Sequence, residues 1–398
     1  MKLWCLKRFN DINFGKEKTT VRKIESQKLE FLISKHTNQE LHENKIGCKE
    51  VIVHQEGECV YSGVFGTSSV GGLVAKKGLI YRAASMTKPI TTTAVLQLVD
   101  KGLIDLDDKI SKFYPKAKDL KVAIIKNEKI VSSVPLENEI TVRNLLSHTS
   151  GIGSEPITTI SPNTNNEMTL DQAIEDIFTK PILFEPNSAE RYSATEAFDI
   201  AAGIVQKVSG IPFDRYLKEN IFEPLGMINT TFCPTNEQWE KVVAMHNRTE
   251  NGDSENSIRP TGCVFDGFLA KRMPAGAGLV TTADDYIKFA DMLCYGGKSK
   301  DGKQILSENA VNLMSTPQCD KSLGYEKWGL GVRVVTSEDY PHGLDIGCFG
   351  WSGAYGTHFW VDRKNRISVV MMKNSCYDGG AGNKSACQLE RDVSESLI

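Results

Sequence analysis

No stretch of this chain approaches the ~18 consecutive apolar residues that a membrane-spanning helix needs, so helical membrane proteins are excluded. An excess of positive charge is also missing. The 47 Lys and Arg face 50 Asp and Glu, a formal net charge of -3 over 398 residues, and nothing in that balance marks a nucleic-acid or anionic-membrane partner. The early basic residues Lys16, Lys18, Arg22 and Lys23 alternate with acidic and apolar ones and read as a solvated helix face. None of the ten cysteines stands in C-x-x-C spacing, which leaves no sequence signature of a zinc site or a redox dithiol. A chain of this length folds without disulfides, and scattered free thiols fit a reducing compartment. The apolar run within Met1–Arg8 is too short for the core of a signal peptide. These absences predict a cytoplasmic protein with no membrane or nucleic-acid partner, no metal and no cofactor. Oligomeric state is left open.

What the chain does contain is a change of periodicity along its length. Residues 1–19 are polar and weakly patterned, a loose leader. Apolar positions from Thr20 to Lys35 recur at helical spacing, and Glu50–His54 with Cys59–Phe65 read as a β-hairpin. From Leu103 to Thr261 the pattern is mostly helical, broken by Pro and Gly: Thr141–His148, Leu170–Thr179, Ala194–Ser209 and Pro212–Pro224. Thr282 then caps a helix over Ala283–Tyr295, β-runs follow at Trp328–Val335, Ile346–Gly350, Ala354–Val361 and Ile367–Lys373, and a helix from Lys384 to about Leu397 closes the chain. Strands at both ends with helices between predict an α/β domain from 20–105 and 270–398. Its antiparallel sheet is flanked by helices, and an all-α lobe, 106–269, is inserted between its halves.

The chemistry begins at Ser85-Met86-Thr87-Lys88, where a short apolar stretch gives way to a helical pattern. A serine at a helix start has an exposed hydroxyl and an unpaired backbone N–H, so negative charge developing there meets the helix's positive end. Lysine three residues on lies one turn along the same face. Buried without a carboxylate partner, such a lysine gives up its proton more readily and can take that of the serine. The S-x-x-K pattern opens the motif set of β-lactamases and penicillin-binding proteins; alone it equally fits an N-capping serine and a solvated lysine.

Two further segments carry weight. Tyr192, in Arg191-Tyr192-Ser193-Ala194, stands at a loop-to-helix junction, and a phenol near a lysine cation loses its proton more easily, which suits a general base. Phe349-Gly350-Trp351-Ser352-Gly353-Ala354 reads as the opening of a strand whose small residues let a backbone N–H approach a substrate oxygen. Paired with the Ser85 N–H, it would form an oxyanion hole. Considered singly, the tyrosine also fits a core position and the glycine-rich segment a β-bulge beside a packed Trp.

Together these residues resemble the serine β-lactamase-like superfamily, in its class C β-lactamase and family VIII carboxylesterase branch. The resemblance spans about residues 45–395. It runs through Ala84–Lys88, Gly102–Asp108, Leu145–Ile152, Pro186-Asn187, Tyr192-Ser193, Phe222–Met227, Gly276–Leu279 and Trp351-Ser352-Gly353. It implies a β-lactamase/transpeptidase-like fold, with the active site between an α/β and an all-α domain, and acyl-enzyme chemistry. Ser85 then matches the nucleophile, Lys88 its proton-transfer partner, Tyr192 the general base and Ala354 the second oxyanion-hole donor beside Ser85. Trp351, Ser352 and Gly353 match the substrate-binding strand.

Two departures shape the substrate expectation. Many relatives carry Asn where this chain has Ala194, and β-lactamases and D,D-peptidases carry Lys or His where it has Trp351. An indole offers a substrate carboxylate no charge-assisted hydrogen bond. The resemblance therefore implies a metal-independent serine esterase acting on neutral small-molecule esters, with acyl transfer as a variant. The alternatives are a D-amino-acid amidase, peptidase or β-lactamase using the same residues, and a non-catalytic scaffold that keeps the fold. His148 reads as structural and His358 as packed or edge-exposed. Gly350–Ala354 falls short of a G-x-S-x-G elbow at its last position, and Gly296–Ser299 lacks the first glycine of a P-loop.

Overall fold

Seven antiparallel strands drawn from both ends of the chain make the sheet that carries the site. The computed structural model describes residues 21–127, 129–153, 168–249, 251, 254–257, 272–319 and 324–398. The expected leader, most of the loop over 151–167 and the expected lobe boundary near 269 lie outside them.

Helix α1 (Ser26–His42) starts later than the apolar spacing predicts, because Ile24 is held extended, bridged to Leu397 with its N–H on Gln55 Oε1. Strands β1 (Cys48–Gln55) and β2 (Glu58–Gly66) form the expected hairpin. Its two turn residues, Glu56 and Gly57, both have positive φ, the twist a two-residue hairpin favours. The short β3 (Tyr81–Arg82) leads into a 3-10 turn, Ala84–Met86, continuous with α2 (Thr87–Asp100). Twelve residues of α2 are buried, so it is a central helix without a wet face. Several of its polar side chains are bonded internally: Thr91 donates to the Ala275 carbonyl and the Gln97 amide N–H groups to those of Asn220 and Ile305. Pro89 falls in the first turn, where its missing N–H costs nothing.

The middle of the chain is largely helical, with two departures, both of them strand pairs. Strands β4 (Lys121–Lys126) and β5 (Lys129–Pro135) form an exposed hairpin where only helices and loops are expected. Helices α3 (Val142–Leu146) and α4 (Leu170–Ile177) both begin in capping boxes, Thr141 with Asn144 and Thr169 with Gln172. Helix α5 (Glu196–Ser209) starts after the tyrosine loop and stops at Gly210 in the left-handed conformation. The expected helix over 212–224 resolves into α6 (Phe213–Leu217), a π-turn over Lys218–Phe222 and α7 (Glu223–Leu225). Helix α8 (Asn236–Trp239) and the pair β6 (Met245–Arg248) and β7 (Ser254–Ser257) follow.

The C-terminal part returns to the sheet. Strand β8 (Val280–Thr281) pairs with β3, and α9 (Ala283–Cys294) is capped by Thr282. After α10 (Glu308–Met314), the run expected as one strand over 328–335 is two, β9 (Glu326–Trp328) and β10 (Arg333–Val335), because Gly329–Val332 turns the chain back. Strands β11 (Phe349–Ser352), β12 (His358–Asp362) and β13 (Ile367–Lys373) and helix α11 (Lys384–Glu395) complete it. Trp351 and Ser352 thus end a strand rather than open one, and Gly353–Thr357 is a turn. The sheet order is β2-β1-β13-β12-β11-β10-β9.

Both faces of the sheet are covered, and period-two alternation sorts its side chains. Val51, Val53, Val369 and Met371 pack with Leu29 of α1 and Leu389 of α11. Ile52, Val370, Met372 and Phe359 face the larger core with Tyr286 and Phe289 of α9. Every residue of β13 is therefore buried, which explains its apolar run Val369–Met372. Each such side chain contributes about 1.5–3 kcal/mol. Among the described residues no helix is long and apolar enough to cross a membrane.

Candidate active site

Ser85 sits in the 3-10 turn immediately before α2, with its hydroxyl only 8% exposed as part of the residue. Ala84 before it takes a φ of 47°, a left-handed conformation that costs an L-residue roughly 1–2 kcal/mol. That bend throws Ser85 out of line with the incoming strand. Two groups converge on its Oγ: the Tyr192 hydroxyl at 2.6 Å and Lys88 Nζ at 3.2 Å.

Lys88 is completely buried. Besides Ser85 Oγ, its Nζ donates to the carbonyls of Ala194 at 2.6 Å and Gly276 at 2.9 Å. An ammonium has three donors and no acceptor, so this set occupies it fully. The cation also lies 4.7 Å from the Tyr192 ring centre and 5.3 Å from that of Phe198. The Gly276 segment is pinned to α5 by buried Asp199, which accepts the Ala275 N–H at 2.8 Å and pairs with Arg272 at 3.6 Å. Burial pushes the Asp199 carboxyl up, with Arg272, the Ala275 N–H and Lys88 opposing. A Cβ on Gly276 would stand 2.9 Å from both Ala194 O and Thr195 Cα, so only glycine lets the two carbonyls close on one ammonium.

Tyr192 is held by an aromatic stack. Its ring lies nearly parallel to Trp328 (5.8 Å, 14°) and tilted against Trp351 (5.4 Å) and His148 (4.8 Å). His148, with a φ of 58° and no exposure, accepts the Ser193 N–H on Nδ1 at 2.9 Å. Burial, reinforced by the charges of Lys88 and Arg333, pushes its pKa well below the ordinary range. A neutral ring with Nδ1 as acceptor carries its proton on Nε2. His148 is thus the prop beneath the tyrosine loop.

The third motif divides. Trp351 is 8% exposed, wedged between Trp328 (4.5 Å) and Tyr192. Ser352, on the other face of β11, is buried and its Oγ pairs with His358 Nδ1 at 2.7 Å. His358, expected as packed or at an edge, is buried and bonded on both nitrogens. Gly353 abuts the nucleophile turn: a Cβ there would come within 2.4 Å of Ala83 O, and Thr357 donates to that same carbonyl at 3.0 Å. This contact sets exposed Ala354 beside the Ser85 turn.

Sequence reasoning did not find the carbonyls of Ala194 and Gly276, the φ of Ala84 or the Trp328 platform. A carbonyl leaves no mark in a residue's identity, although Gly276 in a Gly-Ala-Gly run signals close backbone approach.

The family profile described as Beta-lactamase matches residues 33–386. Acyltransferase calJ of Penicillium decumbens is 27% identical over 344 residues, 78% of this chain and 80% of its own. Esterase EstB of Burkholderia gladioli is 25% identical over 374 residues, 87% and 90% of the two chains. The solved structure of EstCE1, a hydrolase with promiscuous acyltransferase activity, shares the fold with a TM-score of 0.77 at 23% identity, covering 93% of this chain and 99% of that one. With the motif residues gathered around Ser85 and the profile spanning most of its length, the chain belongs to the beta-lactamase family.

Proposed function

We propose that this serine hydrolase of the β-lactamase fold cleaves neutral carboxylic esters through an acyl-enzyme on Ser85, with an alcohol able to replace water as acceptor. The observation that carries the reading is the convergence of Tyr192 Oη and Lys88 Nζ on Ser85 Oγ, at 2.6 and 3.2 Å. In this scheme Ser85 Oγ bonds to the ester carbonyl carbon while its proton passes to a Tyr192 phenolate. The carbonyl oxygen takes the negative charge, held by the N–H groups of Ser85 and Ala354. Collapse breaks the bond to the alkoxide, which leaves with the proton from Tyr192. Water or a second alcohol then repeats the sequence in reverse and restores the serine. Lys88 keeps a positive charge against the phenolate throughout.

Trp351 supports the choice of neutral substrates, since it brings no cation for a carboxylate and its indole is engaged with Trp328 and Tyr192. The names of calJ and EstB, an acyltransferase and an esterase, point the same way. We also propose a sheet lobe of 20–105 and 270–398 enclosing a helical lobe, and a cytoplasmic setting without nucleic-acid partners. The free state of the described cysteines supports that setting.

The test is a panel of p-nitrophenyl esters, D-amino acid anilides and a chromogenic cephalosporin, run with wild type and Ser85→Ala. Short-chain esters should be the fastest substrates, and Ser85→Ala should abolish turnover at an unchanged fold. Cephalosporin hydrolysis faster than ester hydrolysis would overturn the substrate class. Residual esterase activity within tenfold of wild type would overturn Ser85.

A further inference from the structure

No cysteine or histidine spacing in the sequence suggests a metal site, yet the fold brings donors from separate segments together in a cavity whose lining does not include Ser85, Lys88 or Tyr192. On the face of β11 that carries Ser352, a cavity of about 220 Å³ is lined by Glu326, Tyr340, His342, His358, Cys387 and Glu390, among others. Cys387 and Glu390 stand at i and i+3 on α11 and so share a helix face. His342 comes from the turn that Gly343 N–H closes on the Tyr340 carbonyl at 3.1 Å. One ring nitrogen, the thiol sulfur and a carboxylate oxygen of these three residues all lie within 4.8 Å of one another.

The surroundings are those of a ligand set. His342 Nδ1 is buried, and no group among the described residues meets hydrogen-bond geometry with it. A buried polar atom left so is unfavourable, and a bound ion would relieve it. Glu390 is oriented on both oxygens, Oε1 by His358 Nε2 at 3.1 Å and Oε2 by the Tyr340 hydroxyl at 3.1 Å. Each oxygen keeps a further lone pair, and outer partners of this kind fix metal-binding carboxylates elsewhere. Glu326 adds a second carboxylate to the cavity. The one arginine in the lining, Arg333, is directed to Glu190 at 3.4 Å and over Trp328 at 4.2 Å.

We propose that His342, Cys387 and Glu390 bind a divalent transition-metal ion of the zinc class, with a fourth position open to the cavity. One nitrogen, one sulfur and one oxygen donor suit a borderline-soft tetrahedral ion and not Mg²⁺ or Ca²⁺, which want oxygen alone. Zinc bond lengths set donors about 3.3–3.8 Å apart. The three residues therefore close by about an ångström on binding, and the thiol releases its proton to solvent. His342 and Cys387 are only partly buried, so side-chain rotation supplies that movement. The ion would tie α11 to the Tyr340–Gly343 turn. Through Glu390, His358 and Ser352 it would also brace the strand that ends beside the Ser85 turn.

The test loads the full-length, metal-stripped protein with Co²⁺ and then Zn²⁺. Wild type should take up one equivalent of Co²⁺ with tetrahedral visible bands and a thiolate charge-transfer band, and Zn²⁺ should displace it. Zn²⁺ should also protect Cys387 from alkylation, read by mass spectrometry on wild type. Cys387→Ala should lose the charge-transfer band, and both it and His342→Ala should bind Zn²⁺ at least tenfold more weakly at a native melting temperature. Exposed Cys59→Ser should change nothing. The proposal fails if wild type binds no Zn²⁺ tighter than about 1 μM. It fails equally if Zn²⁺ leaves Cys387 unprotected, or if the band survives in Cys387→Ala.

Discussion

Replacing Tyr192 by Phe removes one oxygen and little else, which makes it the sharpest probe of how the serine loses its proton. Lys88 has no donor to spare and no acceptor to offer, since its three N–H groups go to Ser85 Oγ, Ala194 O and Gly276 O. The Tyr192 hydroxyl donates to Ser85 Oγ at 2.6 Å, so once ionised its oxygen is the acceptor nearest the serine proton. Without it, attack must use water as base, and losing a positioned general base costs 10²–10⁴ in rate, or about 3–5.5 kcal/mol of barrier. The ring contacts with Trp328, Trp351 and His148 persist in Tyr192→Phe, so stability should change by no more than about 1 kcal/mol. KM for a neutral ester should move only a few-fold. Stopped-flow hydrolysis of p-nitrophenyl acetate reads acylation directly as the release of nitrophenol. A variant that acylates within tenfold of wild type would refute the reasoning and leave a neutral Lys88, turned from its carbonyls, as the base.

Gly276→Ala should lower kcat at least tenfold with KM nearly unchanged, because its Cβ would press on two backbone atoms at 2.9 Å and separate the carbonyls that hold Lys88; steady-state ester kinetics check this. Trp351→Lys should lower melting temperature and all activities together, since loss of a buried Trp costs about 3–5 kcal/mol and Tyr192 leans on this one. A gain in cephalosporin kcat/KM at unchanged melting temperature would instead put the indole in a carboxylate-binding position. Burial holds His148 well below its ordinary range, so the unfolded chain binds a proton that the native one refuses. Stability from this residue should fall as pH drops below the unfolded value of about 6.5, by up to about 1.4 kcal/mol per pH unit. His148→Asn keeps an acceptor and tolerates positive φ, so urea unfolding near pH 5 and pH 7 should show a smaller acid loss than in wild type.

The sheet was legible because its strands are buried on both faces or alternate cleanly. β13 carries the apolar run Val369–Met372, and the β1–β2 hairpin is marked by Glu56-Gly57. The β4–β5 hairpin was not, although Val122 to Ile125 and Ile130 to Val134 are rich in β-branched residues. It is largely exposed, so no buried face imposes a period, and it lies within a stretch whose pattern reads as mostly helical. The meeting of Ser85, Lys88 and Tyr192 was legible because it is made by side chains at motif positions. The direction of Ser352 was not, because a shift of the strand's end toward Ser352 decides which face each residue takes. The cluster of His342, Cys387 and Glu390 spans 49 positions and has no local signature at all.

The two departures from the family pattern gain different meanings once the contacts are known. Ala194 lacks the amide side chain of many relatives, but the group that reaches Lys88 is its carbonyl, which any residue supplies provided the chain approaches closely enough. Gly276 provides that approach, so the ammonium is held by backbone alone and the loss of an amide leaves it fully coordinated. Trp351 is a different kind of change. An indole stands where the family resemblance implies a cation, and it packs against Trp328 and Tyr192 beside the loop that carries the phenol. The lysine centre therefore keeps the means for acyl transfer, while the third motif has given up charge recognition for aromatic packing. That division is what the proposed preference for neutral esters expects, and the ester and cephalosporin panel tests it.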